Sequence, residues 1–280
     1  MISLRGKLAL VTGGSRGIGL AIAQNFARQG ASTILVGRNA DRLRAAVAAV
    51  QSQRPLPGPD TPAHDMPFHT GVTGDVSSDE MWQDLSTNLV RGHFGRRQHP
   101  KRDELLPDRV DILVNCAGIT QASLLWRTDA DKVAAILDTN LRGAVLGCKH
   151  ITKLMAKKHD GMKDVGKGEA SIINVSSLMA TMGGSGASVY AASKAGLLGL
   201  TSALALEMRT RMIRVNALVP GYIETDMTES LNQDQLCNRI PLGRLGKVEE
   251  VADAAAFLAR NSYANNCVLT IDGGLSAGIS

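Results

Sequence analysis

Along the chain, short apolar runs alternate with stretches whose apolar residues recur every three or four positions. Brief apolar runs closed by glycine or polar turn residues are the pattern of strands buried on both faces of a parallel sheet. Seven such runs are expected to be strands: 7–12, 32–36, 68–74, 111–114, 171–175, 213–219 and 267–271. The helical spacing falls at 20–29, 40–51, 78–91, 121–138, 139–158, through Tyr190 to about 210, and at 248–259. Strand and helix in alternation predict an α/β protein: one doubly wound Rossmann domain over 1–280, with a mainly parallel seven-stranded sheet and helices on both faces. No internal repeat or second core interrupts it.

Some segments break the pattern. Residues 52–66 are rich in proline and read as an inserted surface loop. Residues 92–108 read as a second, carrying Arg96, Arg97, Lys101 and Arg102. A solvated basic loop fits that cluster, and so does docking of an acidic protein partner. Residues 222–245 are weakly patterned and read as a lid over the substrate.

Composition narrows the class. Hydrophobic residues make up 44% and aromatics 3%, with 29 glycines, which suits close packing of helices on a sheet. The net charge of +5 favours anionic partners such as phosphates but is too diffuse to imply nucleic acid. Cys116, Cys148, Cys237 and Cys267 form no CxxC pair and read as reduced core thiols, with no metal site. No apolar run reaches membrane-spanning length, and the first strand starts too early for a signal peptide. A cytoplasmic protein is expected.

The candidate chemistry sits at the ends of the apolar runs. Gly13-Gly14-Ser15-Arg16-Gly17-Ile18-Gly19 joins the first strand to the first helix. Glycines at 13, 17 and 19 allow a tight turn and close approach to a pyrophosphate, which the helix N-terminus would hold. At the end of the second strand, where an NAD site carries an acid for the ribose, stands Arg38. Arg38 and Arg16 together would suit a ribose 2′-phosphate, predicting NADPH/NADP+; two solvated arginines are the alternative. Asp75 can accept from an adenine amino group and the Val76 N–H can donate to the ring, or Asp75 can cap the next helix. In Asn115-Cys116-Ala117-Gly118, small residues let the backbone pass close to a nucleotide. Asn140 stands at a join between helices, as a cap, a water anchor or a kink. Ser176 and Ser177 follow the fifth strand, at the edge where open α/β sheets bind ligands. Tyr190 and Lys194 are four apart, so on a helix they share a face, and an ammonium beside a phenol eases its ionisation. An ordinary surface pair has the same spacing.

These motifs resemble the short-chain dehydrogenase/reductase family over nearly the whole chain outside the two loops. Its glycine motif stands at Thr12-Gly13 through Gly17 and Gly19, and its Asn-x-Ala-Gly motif at Asn115-Cys116-Ala117-Gly118. Its catalytic set matches Asn140, Ser177, Tyr190 and Lys194; Ser177 is taken over Ser176 for its distance before the tyrosine. Within the family, residues 172–177, 190–200, 214–227, 240–244 and 272–274 are most similar to β-ketoacyl-(acyl-carrier-protein) reductases and a mitochondrial carbonyl reductase.

The resemblance implies NADPH-dependent reduction of a β-ketoacyl thioester to its 3-hydroxyacyl product. Tyr190 would protonate the developing alkoxide, Ser177 would bond the same oxygen, and Asn140 would anchor a water. Lys194 would hold the nicotinamide ribose and lower the Tyr190 pKa. Pro220, Gly221, Ile223 and Thr225 would lie at the nicotinamide. Lys158 and Arg211, with Lys157 and Arg209 nearby, would dock an acyl carrier protein. A homotetramer is implied, a mixed tetramer is an alternative, and the mitochondrial matrix is an alternative compartment. The competing functions are reduction of a small ketone and nucleotide binding without turnover; the intact Asn-Ser-Tyr-Lys set argues against the second.

Overall fold

The computed structural model describes residues 3–53, 55, 66–91, 110–156, 170–229 and 231–278. The 92–108 insertion, most of 52–66, and Lys157 and Lys158 lie outside the described residues.

Seven strands form one sheet: β1 Leu8–Thr12, β2 Ser32–Gly37, β3 His69–Thr73, β4 Ile112–Asn115, β5 Ala170–Val175, β6 Ile213–Pro220 and β7 Val268–Ile271. Their order is β3-β2-β1-β4-β5-β6-β7, with every neighbouring pair parallel. The helices are α1 Gly17–Arg28, α2 Ala40–Gln51, α3 Asp79–Val90, α4 Ala130–Leu137, α5 Gly143–Met155, α6 Met179–Met182, α7 Ser188–Glu207, α8 Gln233–Arg239 and α9 Val248–Arg260.

The alternation of a strand explains the two layers of helices. In β1, Ala9 and Val11 pack with Phe26, Leu43 and Val251 of α1, α2 and α9. Leu8 and Leu10 point the other way, toward Trp82, Ile151 and Leu204 of α3, α5 and α7. Both faces are covered, so the strands read as continuous apolar runs rather than as an alternating pattern. Side-chain caps start several helices: Asn39 accepts from the Arg42 amide at 2.8 Å and Ser78 from the Met81 amide at 3.2 Å.

The structure departs from the sequence-based expectation in three places. Residues 121–129 are not α-helical; a 3₁₀ turn at Leu125–Arg127 precedes α4. The join at Asn140 is a π-helical turn, Asp138–Arg142, with no side-chain cap. Within 222–245, α8 is capped by Asn232, and Leu236, Ile240 and Leu245 pack on Leu178 and Leu275.

The helix Ser188–Arg211 is long and apolar enough to cross a membrane, which the count of uninterrupted apolar runs did not register. Its inner face, including the polar Ser193, Lys194 and Thr201, is buried in the domain. It is an internal element of the fold rather than a clear membrane span. Of the four cysteines, all free, Cys148 is buried and Cys116, Cys237 and Cys267 are partly exposed. No group of ligands suited to a metal is found among the described residues.

Candidate active site

Strand order reverses between β2 and β4 on either side of β1, which opens a crevice beyond the strands' carboxyl ends. A long groove fills it. Its walls include Gly13, Ser15, Arg16, Gly17, Ile18 and Gly19 from the glycine loop, Arg38 after β2, and Asp75 and Val76 after β3. Cys116, Ala117 and Gly118 after β4, with Tyr190, Lys194 and Thr225, complete the walls.

The glycine loop fits a dinucleotide. Gly13 and Gly17 adopt φ of 66° and 53°, where a side chain is strained. A Cβ on Gly19 would lie 2.4 Å from the Gly13 carbonyl oxygen, and one on Gly13 would lie 2.8 Å from Ala117 Cα. The backbone can therefore close in this way only with glycine. At the start of α1, Arg16 provides no side-chain cap, so the first-turn amides face the groove unclaimed by a capping group.

Both expected arginines reach the groove, each beside a carboxylate. Arg16 Nη1 donates to Asp226 Oδ2 at 2.7 Å, tying the glycine loop to the segment after β6. Arg38 Nη1 lies 4.0 Å from Asp75 Oδ2. A third cation, Arg42 of α2, also lines the groove. It was missed in the sequence because it lies inside a helical pattern, where an arginine reads as solvated. Asp75 does not cap α3, since Ser78 does; its Oδ1 accepts from the Ser77 amide and hydroxyl. Burial raises the Asp75 pKa, but those two bonds and Arg38 outweigh it and hold the carboxyl below its ordinary value.

At the reacting end, the Ser177 hydroxyl lies near the Tyr190 phenol, favouring its ionised form, and accepts from the Met179 amide at 3.2 Å. Ser176 lines the groove but its hydroxyl is committed to the Lys194 carbonyl at 2.8 Å, whereas Ser177, not itself among the lining residues, is the serine beside the tyrosine. Lys194 Nζ sits 5.8 Å from the centre of the Tyr190 ring and donates to the Val175 carbonyl at 2.8 Å. Gly118 lies against both Lys194 Nζ and Asn140 Oδ1, each 3.4 Å from where its Cβ would be.

One expectation is corrected here. The phenol is not acidified in this arrangement: burial pushes its pKa above 10.0, and the neighbouring Ser177 hydroxyl only partly offsets that. The same burial pulls the Lys194 ammonium down to about 8. Spacing placed the two groups together, but desolvation decides their charge states. A phenol held in its protonated form at neutral pH is suited to giving a proton.

Several expected residues support the groove from behind. Asn115 donates to Asn174 Oδ1 at 2.9 Å inside the sheet and is not on the groove wall. Asn140 donates to the Ile119 carbonyl and to Ser193 Oγ and accepts from the Ile119 amide, so both side-chain N–H donors are committed to protein partners. Pro220, Gly221 and Ile223 are likewise off the wall; the Gly221 amide donates to the Ile271 carbonyl, and the Ile223 carbonyl accepts from Thr228. Arg211 is far from the reaction centre. It lies past the end of α7, in the 3₁₀ turn Met208–Arg211, whereas Tyr190 is in the first turn of α7, roughly 30 Å of helix away. Gln121, which composition alone would leave on the surface, is buried against the first turn of α7.

The model of the short chain dehydrogenase family matches residues 7–236. The chain belongs to the short-chain dehydrogenase family. It is 38% identical over 269 residues to 3-oxoacyl-(acyl-carrier-protein) reductase of Bos taurus, covering 96% of this chain and 98% of the relative. It is 35% identical over 269 residues to carbonyl reductase family member 4 of Xenopus laevis, with the same coverage. Among solved structures, a candidate short-chain alcohol dehydrogenase from Sinorhizobium meliloti 1021 superposes with a TM-score of 0.80 at 31% identity, over 98% of both chains. As a member of this family the protein is an oxidoreductase that uses a nicotinamide cofactor.

Proposed function

We propose that this short-chain dehydrogenase is an NADPH-dependent reductase of β-ketoacyl thioesters, forming the 3-hydroxyacyl product. The observation that carries the reading is a buried Tyr190 phenol, held protonated with Ser177 and Lys194 beside it, in one groove with Arg16, Arg38 and Arg42. When bound, NADPH supplies the hydride. The glycine loop and the α1 amides would hold its pyrophosphate, and Arg16, Arg38 and Arg42 would meet its 2′-phosphate. Ser177 and Tyr190 grip the ketone oxygen, so charge developing there is met by fixed donors. Tyr190 gives its proton to that oxygen, and Lys194 stabilises the phenolate left behind. Asn140 braces the floor of the site. Residues 222–245 act as the lid on a single reductase domain.

The substrate test is NADPH oxidation with acetoacetyl thioester against a panel of small ketones. The thioester is expected to give the higher kcat/KM. A preference for small ketones would favour the second reading, a carbonyl reductase like the Xenopus relative.

For the cofactor, Arg38→Ala is expected to raise KM for NADPH by about 10- to 100-fold, the size of a lost charge-assisted hydrogen bond. KM for NADH should stay where it is. A wild-type preference for NADH would refute the assignment.

A homotetramer accords with apolar side chains left exposed on the helices and the edge strand, among them Val145, Leu206, Phe257 and Val268. Docking of an acyl carrier protein at Arg209 and Arg211 would then serve the crevice of a neighbouring copy, because the chain's own crevice is a helix length away. The cytoplasm is the compartment taken here, with the mitochondrial matrix as the alternative.

A further inference from the structure

The helix that carries Tyr190 and Lys194 has no capping side chain of its own, since Ala187 stands at its start. The amides that a cap would satisfy are those of its second and third residues, Val189 and Tyr190. Both donate to a single atom, Gln121 Oε1, at 2.7 and 3.2 Å. Gln121 comes from the segment after β4, almost 70 positions earlier, and is only 5% exposed. Its amide is fixed at the other end as well. Nε2 donates to the Ser123 carbonyl at 2.9 Å and to Thr128 Oγ1 at 3.1 Å. Helix amides need an acceptor, so the oxygen must face α7 and the nitrogen must face the turn.

The structure assigns Gln121 as a positioning residue: a cap from a distant loop that sets where Tyr190 stands relative to Ser177 and the nucleotide groove. This rests on Tyr190 being the proton donor. The Tyr190 backbone is held on both sides. Its N–H goes to Gln121, and its carbonyl accepts from Ser193 Oγ at 2.6 Å. Ser193 in turn accepts from Asn140 Nδ2 at 3.0 Å, and Asn140 is bonded to both the amide and the carbonyl of Ile119. Ile119 and Gly118 line the nucleotide groove, two and three positions before Gln121. The nucleotide-facing loop and the proton donor therefore share one mount, with Gln121 and Asn140 as its two fixings. A side chain that cannot accept from α7 frees the helix start to shift, moving the phenol in its first turn while the glycine loop and the groove's arginines keep their own anchors.

The test compares Gln121→Met, Gln121→Glu and Tyr190→Phe in the intact enzyme. Gln121→Met keeps the length and loses the acceptor. It is expected to lower kcat roughly 10- to 100-fold, the scale of a misplaced reacting group, while the Kd for NADPH, read by fluorescence titration, stays unchanged. Gln121→Glu keeps an oxygen for both amides and should recover most of that loss. If the methionine variant does not fold, Gln121→Asn, one methylene short of α7, should give the same split. Wild-type kcat in Gln121→Met beside an inactive Tyr190→Phe would overturn the positioning role alone. Equal losses of kcat and NADPH binding, unrelieved by glutamate, would also overturn it, as the mark of a merely structural residue. Full activity in Tyr190→Phe would instead remove the reading on which the proposal rests.

Discussion

Tyr190→Phe is expected to lower kcat by about 10²- to 10⁴-fold, the usual worth of a positioned general acid. The ring that lines the groove remains, so NADPH should still bind. What is lost is one proton donor, the hydroxyl beside Ser177. Burial keeps the wild-type phenol protonated through the neutral range, so in the reducing direction the donor is always loaded. Steady-state NADPH oxidation gives the turnover, and fluorescence titration gives the affinity. Loss of both together would point to a collapsed groove rather than to missing acid chemistry.

The second large effect belongs to Lys194. The residue is 4% exposed, its ammonium donates to the Val175 carbonyl, and burial pulls its pKa from 10.5 to about 8. Lys194→Met removes the charge and keeps the stem. The expected fall in kcat/KM for NADPH is about 10- to 100-fold, as for a lost hydrogen bond to a charged group. In wild type, kcat/KM reports the free enzyme. It should therefore decline as pH rises through about 8, where the amine loses its proton, and the variant should lack that decline. The same shift acts on stability with the opposite sense. Between about 8 and 10.5 the unfolded chain binds more protons at this site than the folded one, so this group makes stability rise with pH across that window. Thermal midpoints of wild type against Lys194→Met over that range check the sign.

Much of the frame was legible because both faces of the sheet are covered. That turns each strand into an unbroken apolar run, and the glycine loop between β1 and α1 follows as a signature. Segment 121–138 misled because Leu124, Leu125, Val133 and Ile136 keep near-helical spacing. The buried Gln121 amide and Thr128 instead organise its first part by side-chain bonds, which leave no periodic trace. The π turn at 138–142 was equally hidden, since one wide turn offsets the register without changing composition. At the site, residue spacing brought Tyr190 and Lys194 together but carried no information on desolvation, so the direction of the phenol's shift was read wrongly. The roles of Arg42 and Gln121 depend on neighbours far away in the chain.

In a sheet whose strands all run the same way, each passage from a helix into the next strand occurs at the rim away from the crevice. The connections α2–β3, α3–β4 and α5–β5 are all of that kind. Chain length can thus be added or trimmed between residues 53 and 66, 91 and 110, or 156 and 170 with both anchor points on the back of the molecule. These are the natural places for a tag, a graft or a lineage-specific extension, because the chemistry is carried out at the opposite rim.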